Sequence, residues 1–344
     1  MINTKVFSIV LYNNAMNYRL FFISILLFVS VSVHAQTDST RLVWPSPPDR
    51  ARIKHLLTIS SLNSFEAKKG FFSGIFGFLF GDEKTSHWLV QPLGIAVSSK
   101  NKLYITDPGA KGVHVIDQTE KEYDFLSETK YGTFQSPVGC AISDAGTIFI
   151  SDSQRGDIVA LDEDHDALFE IKEHLVRPTG IKIHGDKLYV ADASQHAILI
   201  YDLKGKFISR FGERGSEPGM FNFPVDLAVN DSLMVVDALN YRIQKFDLTG
   251  KAGTMFGRQG NVAGRFASPK NIALDSDGNI YVSDALMDCI QIFNTKGELL
   301  LIVGKNGTGN GEFVSPNGIA IDSNDKIYVV ESLNRRIQIF QYIK

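Results

Sequence analysis

Six acidic residues recur along this 344-residue chain: Asp107, Asp152, Asp192, Asp237, Asp284 and Glu331. Each closes a short apolar alternation, as in "LYITD", "LMVVD" and "IYVVE". A ring of carboxylates could hold a cation or move protons. One acid per unit, always at the end of the same element, better fits a fold-forming position, where the carboxylate accepts hydrogen bonds from backbone NH groups of an adjoining turn. Arg155, Arg242 and Arg336 follow acids of this series. They are candidates to read a carboxylate or phosphate on one face, or to pair with an acid of their own or the next unit.

The acids belong to a larger repeat. A proline and an alternating apolar strand precede each acid by 13 to 15 residues, first as "PLGIAVS" from Pro92. The motif returns from Pro137, Pro178, Pro224, Pro269 and Pro316, at spacings of 45, 41, 46, 45 and 47 residues. Tight-turn signals such as "DAGT" and "DSDGN" join the first two strands, a third strand follows the acid, and usually a fourth. Four short strands at a period near 45 predict an all-β fold, a six-bladed β-propeller of four-stranded antiparallel blades. Gly212, Gly257 and Gly304 each lie 12 residues before the next repeat proline, where a crossover needs positive φ. The sixth unit stops after its third strand. Residues 52–61, a β-compatible run with no partner of its own, are expected to complete that blade and close the ring, making 52–344 a single domain.

Two positions after each repeat proline the inner strand should start near the axis, at Gly94, Gly139, Gly180, Asp226, Asn271 and Gly318. Asp226 and Asn271, with Asn317 and Glu331, are candidate oxygen ligands for a channel calcium, ordinary capping of strand ends being the rival. The histidines fall at unrelated phases of the repeat and predict no zinc set. No Ser-His-Asp arrangement or phosphate loop stands out, so no catalytic residue is assigned, and no cofactor beyond that calcium.

The combination of "GTFQSP"-type linkers, the "GIAV" strand, the "YVSD" strand and "NYRIQKF" or "NRRIQIF" (Asn240–Phe246, Asn334–Phe340) resembles NHL repeats over residues 88–344. The fifth repeat departs from the last element at Asp288 and Cys289, and the second and third depart further. "VWPSPPDRARI" resembles the segment before the propeller in exported bacterial NHL proteins. The resemblance implies a ring whose faces bind protein or, in some members, RNA. It also implies that related six-bladed lactonases and amidating lyases place metals on the axis.

Lys and Arg number 35 against 38 Asp and Glu, a net charge of -3, which argues against a general nucleic-acid binder. Residues 20–33 form an apolar run behind Arg19, and "VHA" supplies small residues before a cleavage point after Ala35. Residues 1–35 therefore read as a secretory signal with Met16 as a candidate start, followed by a Pro-rich lead-in at 36–51 and a periplasmic or extracellular mature chain. Cys140 and Cys289 need not pair.

An insertion at 62–87 carries "FFSGIFGFLFG". As a helix it would rise only about 16 Å, too short for a bilayer core of roughly 30 Å. Phe72, Ile75, Phe76 and Leu79 would share one face, either covering the propeller or touching a partner or membrane surface. The leading expectation is a monomeric, non-enzymatic exported module that binds a protein, peptide or glycan, without nucleic acid or a transmembrane span. The alternative is a metal-dependent hydrolase or lyase acting in the channel through Asp226, Asn271 and Glu331.

Overall fold

The computed structural model describes residues 42–62 and 88–344. Each of the six repeat acids ends the second strand of a blade, and five of the repeat prolines open an inner strand. Blade 1 comprises Gly94–Val97, Lys102–Asp107, Gly112–Asp117 and Glu122–Leu126. Blades 2 to 5 repeat the order from inner strands Pro137–Ile142, Pro178–His184, Pro224–Val229 and Pro269–Leu274. Their outer strands are Ala167–Ile171, Phe207–Phe211, Ala252–Phe256 and Leu299–Val303. All neighbours within a blade are antiparallel.

Blade 6 closes the ring as its missing fourth strand predicts. Pro316–Ile321, Lys326–Glu331 and Arg336–Tyr342 are joined by Ile53–Ile59, with Ile59 opposite Ile337 and Ile53 opposite Tyr342. A fifth strand, Val43–Trp44, pairs outside it, and Trp44 meets Phe340 edge-on at 5.8 Å. Two residues are too few to show a periodic pattern in sequence.

The core is six clusters, one between each pair of adjacent blades, including the pair that joins blade 6 to blade 1. Phe134, Phe221, Phe266 and Phe313 from the linkers are fully buried, each contributing about 1.5–3 kcal/mol of transfer free energy. Gly212, Gly257 and Gly304 have φ near +90°, and a Cβ on any of them would overlap the ring of Phe221, Phe266 or Phe313. The linker glycine thus supplies both the turn and the space for the phenylalanine behind it.

Closer to the axis, Gly94, Gly139 and Gly318 lie so near the inner strand of the next blade that a Cβ would overlap its backbone. Hydroxyls stitch the same gap. Thr106 donates to the Val138 carbonyl at 2.6 Å, and Ser151 and Ser283 donate at 2.5 Å to Thr179 and Asn317.

Candidate functional site

All six repeat acids are fully buried, and each accepts amide NH groups from the linker entering its own blade. Asp107 takes those of Val90 and Gln91 at 2.7 and 2.9 Å, and Asp152 those of Gln135 and Ser136 at 2.7 and 3.0 Å. Asp192 takes Val176 and Arg177, and Asp284 takes Ala267 and Ser268. Asp237 receives Asn222 at 2.6 Å and Glu331 receives Val314 at 3.1 Å. The carboxylates pin the start of each inner strand, so their charge is directed into the blade.

The arginines are spent in the same way: of their two readings, pairing with an acid of their own blade is the one these contacts match. Arg242 Nε donates to Asp237 at 2.8 Å, while its Nη atoms donate to the carbonyls of Ser216, Glu217 and Met220. Arg336 repeats this with Glu331 and the carbonyls of Thr308, Gly309 and Glu312. Arg155 bridges Asp157 and Glu170 at 2.8 and 2.6 Å. With donors already paired and side chains only 8 to 11% exposed, these groups have little to offer a ligand.

The inner strands line two cavities along the channel. The one at the ends where the strands finish, about 250 Å³, is walled by apolar residues apart from Lys182. The other, about 320 Å³, lies where the strands begin and mixes apolar residues with Ser, Thr and Asn side chains and four charged ones. Four positions beyond the repeat proline, five blades carry Ala96, Ala141, Ala228, Ala273 and Ala320, small residues where strands converge. Blade 3 carries Lys182 there, and Lys182 lines both cavities. Its Nζ stands 3.8 Å from Asp226 Oδ1, across from blade 4. Burial raises the Asp226 pKa, against the pull of Lys182 and the Ile272 amide. Arg177 and Lys270 complete the charged lining of the polar chamber, and neither side chain has a partner among the described residues.

Of the four candidate oxygen ligands, Asp226, Asn271 and Asn317 line this chamber and Glu331 does not, and their polar atoms are engaged as the capping alternative has it. Asp226 accepts the Ile272 amide at 3.0 Å and Asn271 Oδ1 accepts the Ile319 amide at 3.0 Å, each reaching into the next blade. Asn317 Nδ2 donates to Ser332 Oγ at 2.8 Å, and Glu331 is bound to Arg336. Calcium takes six to eight oxygens, whereas the polar chamber lining holds one carboxylate against three cations. Among the described residues no group of three or more His, Cys, Asp or Glu could hold a metal. The site residues that sequence reasoning passed over are Arg177, Lys182 and Lys270. The signal was present in "PTGIKIH", where a lysine interrupts a column of alanines.

Cys140 and Cys289 are free and buried, and burial pushes both thiols up to about 12. Phe72, Ile75, Phe76 and Leu79 lie outside the described residues. No helix among the described residues is long and apolar enough to cross a membrane.

A family model described as "6-bladed beta-propeller" matches residues 171–255 and 265–342. Among solved structures, the chain is similar to an auxiliary nutrient binding protein from Bacteroides thetaiotaomicron, with TM-score 0.60 and 17% identity over 74% of this chain and 70% of that one. A gluconolactonase from Xanthomonas campestris gives 0.58 and 14%, over 74% and 87% of the two chains. Virginiamycin B lyase from Staphylococcus aureus gives 0.53 and 16%, over 74% and 96%. At these identities the likeness is one of fold. The matched family model, the strand topology and these structures agree on the architecture: the chain is a six-bladed β-propeller.

Proposed function

We propose that this chain is an exported NHL-type propeller that works by recognition, taking a protein, peptide or glycan at the end of the channel where the inner strands begin. The observation that carries this reading is the polar chamber there, with Arg177 and Lys270 unpartnered beside the Lys182–Asp226 pair. Cations at the channel mouth that outnumber the acid beside them draw an anionic group. Likeness to a nutrient binding propeller supports a binding role at the level of fold.

The test is affinity capture from the envelope fraction with the mature chain and its R177S/K270S variant side by side. A partner retained by the first and lost by the second is expected. Equal capture by both would overturn the placement.

A second reading draws on Asp226, a buried carboxyl of raised pKa at a chamber wall, which is how a proton-transferring group is often held. Likeness to a lyase and a gluconolactonase goes with it. Turnover of a lactone or cyclic ester by purified protein, abolished in Asp226→Asn, would put the enzyme in place of the binding module.

A further inference from the structure

Taking recognition at this face as the starting point, we infer that its ligand is a peptide segment carrying carboxylates beside apolar side chains. A carboxylate lies against Arg177, Lys182 and Lys270, and apolar side chains lie over Leu239, Leu286 and Leu333. The charge half comes from the chamber, whose lining holds three cations and one acid, Asp226. Lys182 is already shared with Asp226, so Arg177 and Lys270 provide the free positive charge.

The apolar half comes from a second, independent regularity. Two residues after the repeat acid, blades 4, 5 and 6 carry Leu239, Leu286 and Leu333, 47 residues apart. They are 49, 74 and 69% exposed, while the acid two residues earlier is fully buried in each case. A leucine kept for the core would be covered; these three stand on the loops between second and third strands and face solvent.

Those loops share the chamber's end of the ring. Repeat proline and repeat acid are cross-strand partners, as Pro224 is to Asp237, Pro269 to Asp284 and Pro316 to Glu331. Ser332, the neighbour of Leu333, also accepts from Asn317 of the chamber wall. With strands about 4.8 Å apart, a second-to-third loop lies roughly 7 Å outside the inner strand. About two residues of extended peptide cover that distance. A glycan brings the anion without branched apolar groups, whereas a peptide brings both.

Fluorescence anisotropy with four labelled ten-residue peptide pools tests this. The pools alternate leucine with glutamate, leucine with lysine, serine with glutamate, and leucine with serine. The leucine/glutamate pool is expected to bind about tenfold tighter than any other, a difference of roughly 1.4 kcal/mol. R177S/K270S should weaken it about tenfold, with a reduced salt dependence, and L286S/L333S several-fold.

Equal binding of the serine/glutamate pool would overturn the apolar half, and equal binding of the leucine/lysine pool the charged half. A lowered melting temperature of L286S/L333S with unchanged peptide affinity would place the leucines under the chain's own residues and overturn the proposal. So would sedimentation with anionic lipid vesicles that the leucine/glutamate pool does not compete. Envelope capture that responds to R177S/K270S, with no pool bound, would overturn the peptide chemistry while leaving recognition at this face standing.

Discussion

In blades 4 and 6 the acid closing the second strand is locked by an arginine and a glutamine of the third, Arg242 and Gln244 on Asp237, Arg336 and Gln338 on Glu331. Blades 1 to 3 hold the same acid with other residues. In blade 1, His114 takes the place of the glutamine, 3.3 Å from Asp107, with its other nitrogen 2.9 Å from the Tyr123 hydroxyl. In blade 2 an acid, Asp157, stands opposite Asp152 where the arginine would be. In blade 3, Gln195 donates to Asp192 at 2.9 Å. The acid is the constant demand of the blade, because its linker amides must be satisfied, while the lock is free to vary. That freedom is where difference enters: blade 3 contributes Arg177 and Lys182 to the chamber, and blades 4 to 6 repeat one exposed leucine three times.

The largest effect should come from breaking a regular lock. Glu331→Ala leaves Arg336 buried with no counter-charge and should cost about 3–5 kcal/mol in urea unfolding. A loss below about 1 kcal/mol would erase the distinction between the locks of blades 4 and 6 and those of blades 1 to 3.

Next comes His114, buried and held neutral because burial lowers its pKa despite Asp107. His114→Ala opens a cavity and removes partners of Asp107 and Tyr123, for about 2–4 kcal/mol. If the histidine stands for the glutamine of blades 4 and 6, His114→Gln should recover at least half of that loss; no recovery would make blade 1 a different device.

The smallest effect, and the only gain, is expected at Asp157. Burial, and then the neighbouring Glu170, raise its pKa to about 7, and one of its oxygens has no partner among the described residues. The folded chain therefore keeps a proton that the unfolded chain releases near pH 4. The group's contribution is full below about pH 4 and is lost as pH rises toward 7. For Glu170, burial acts to raise the pKa, but Lys172, Asp157 and Arg155 together hold it below the usual range, and its contribution is lost as pH falls. Asp157→Asn should raise the melting point at pH 8 by a few degrees, on the order of 1 kcal/mol, and flatten the profile between about pH 5 and 8. An unchanged profile would show that Asp157 is ionised in the fold like an ordinary carboxylate.

Much of this architecture was legible because a repeat poses the same physical problem six times. Alternation, turn residues and the proline-to-acid interval gave the blades, and an unmatched β run beside an incomplete last unit gave the closure by residues 53–59. The channel was legible only in outline. Five of the six residues two positions past the proline border the polar chamber, yet Asp226 and Asn271 spend their oxygens on the next blade's amides, a fate decided by inter-blade spacing. Arg242 and Arg336 looked available because a sequence does not show which carbonyls converge on a guanidinium. Lys182 was visible as an odd residue in a column of alanines, but only the convergence of inner strands gives it two cavities to face.

The closing strand has a consequence in time as well as in space. Ile59 pairs with Ile337 and Ile53 with Tyr342, contacts separated by more than 270 residues. A growing chain can form its blades in order as each hairpin emerges, but the strand Ile53–Ile59 must wait for its partner until Arg336–Tyr342 has been made. Until then the chain is an open arc with a bare edge, and the contact of greatest sequence separation is the one that turns six neighbours into a ring.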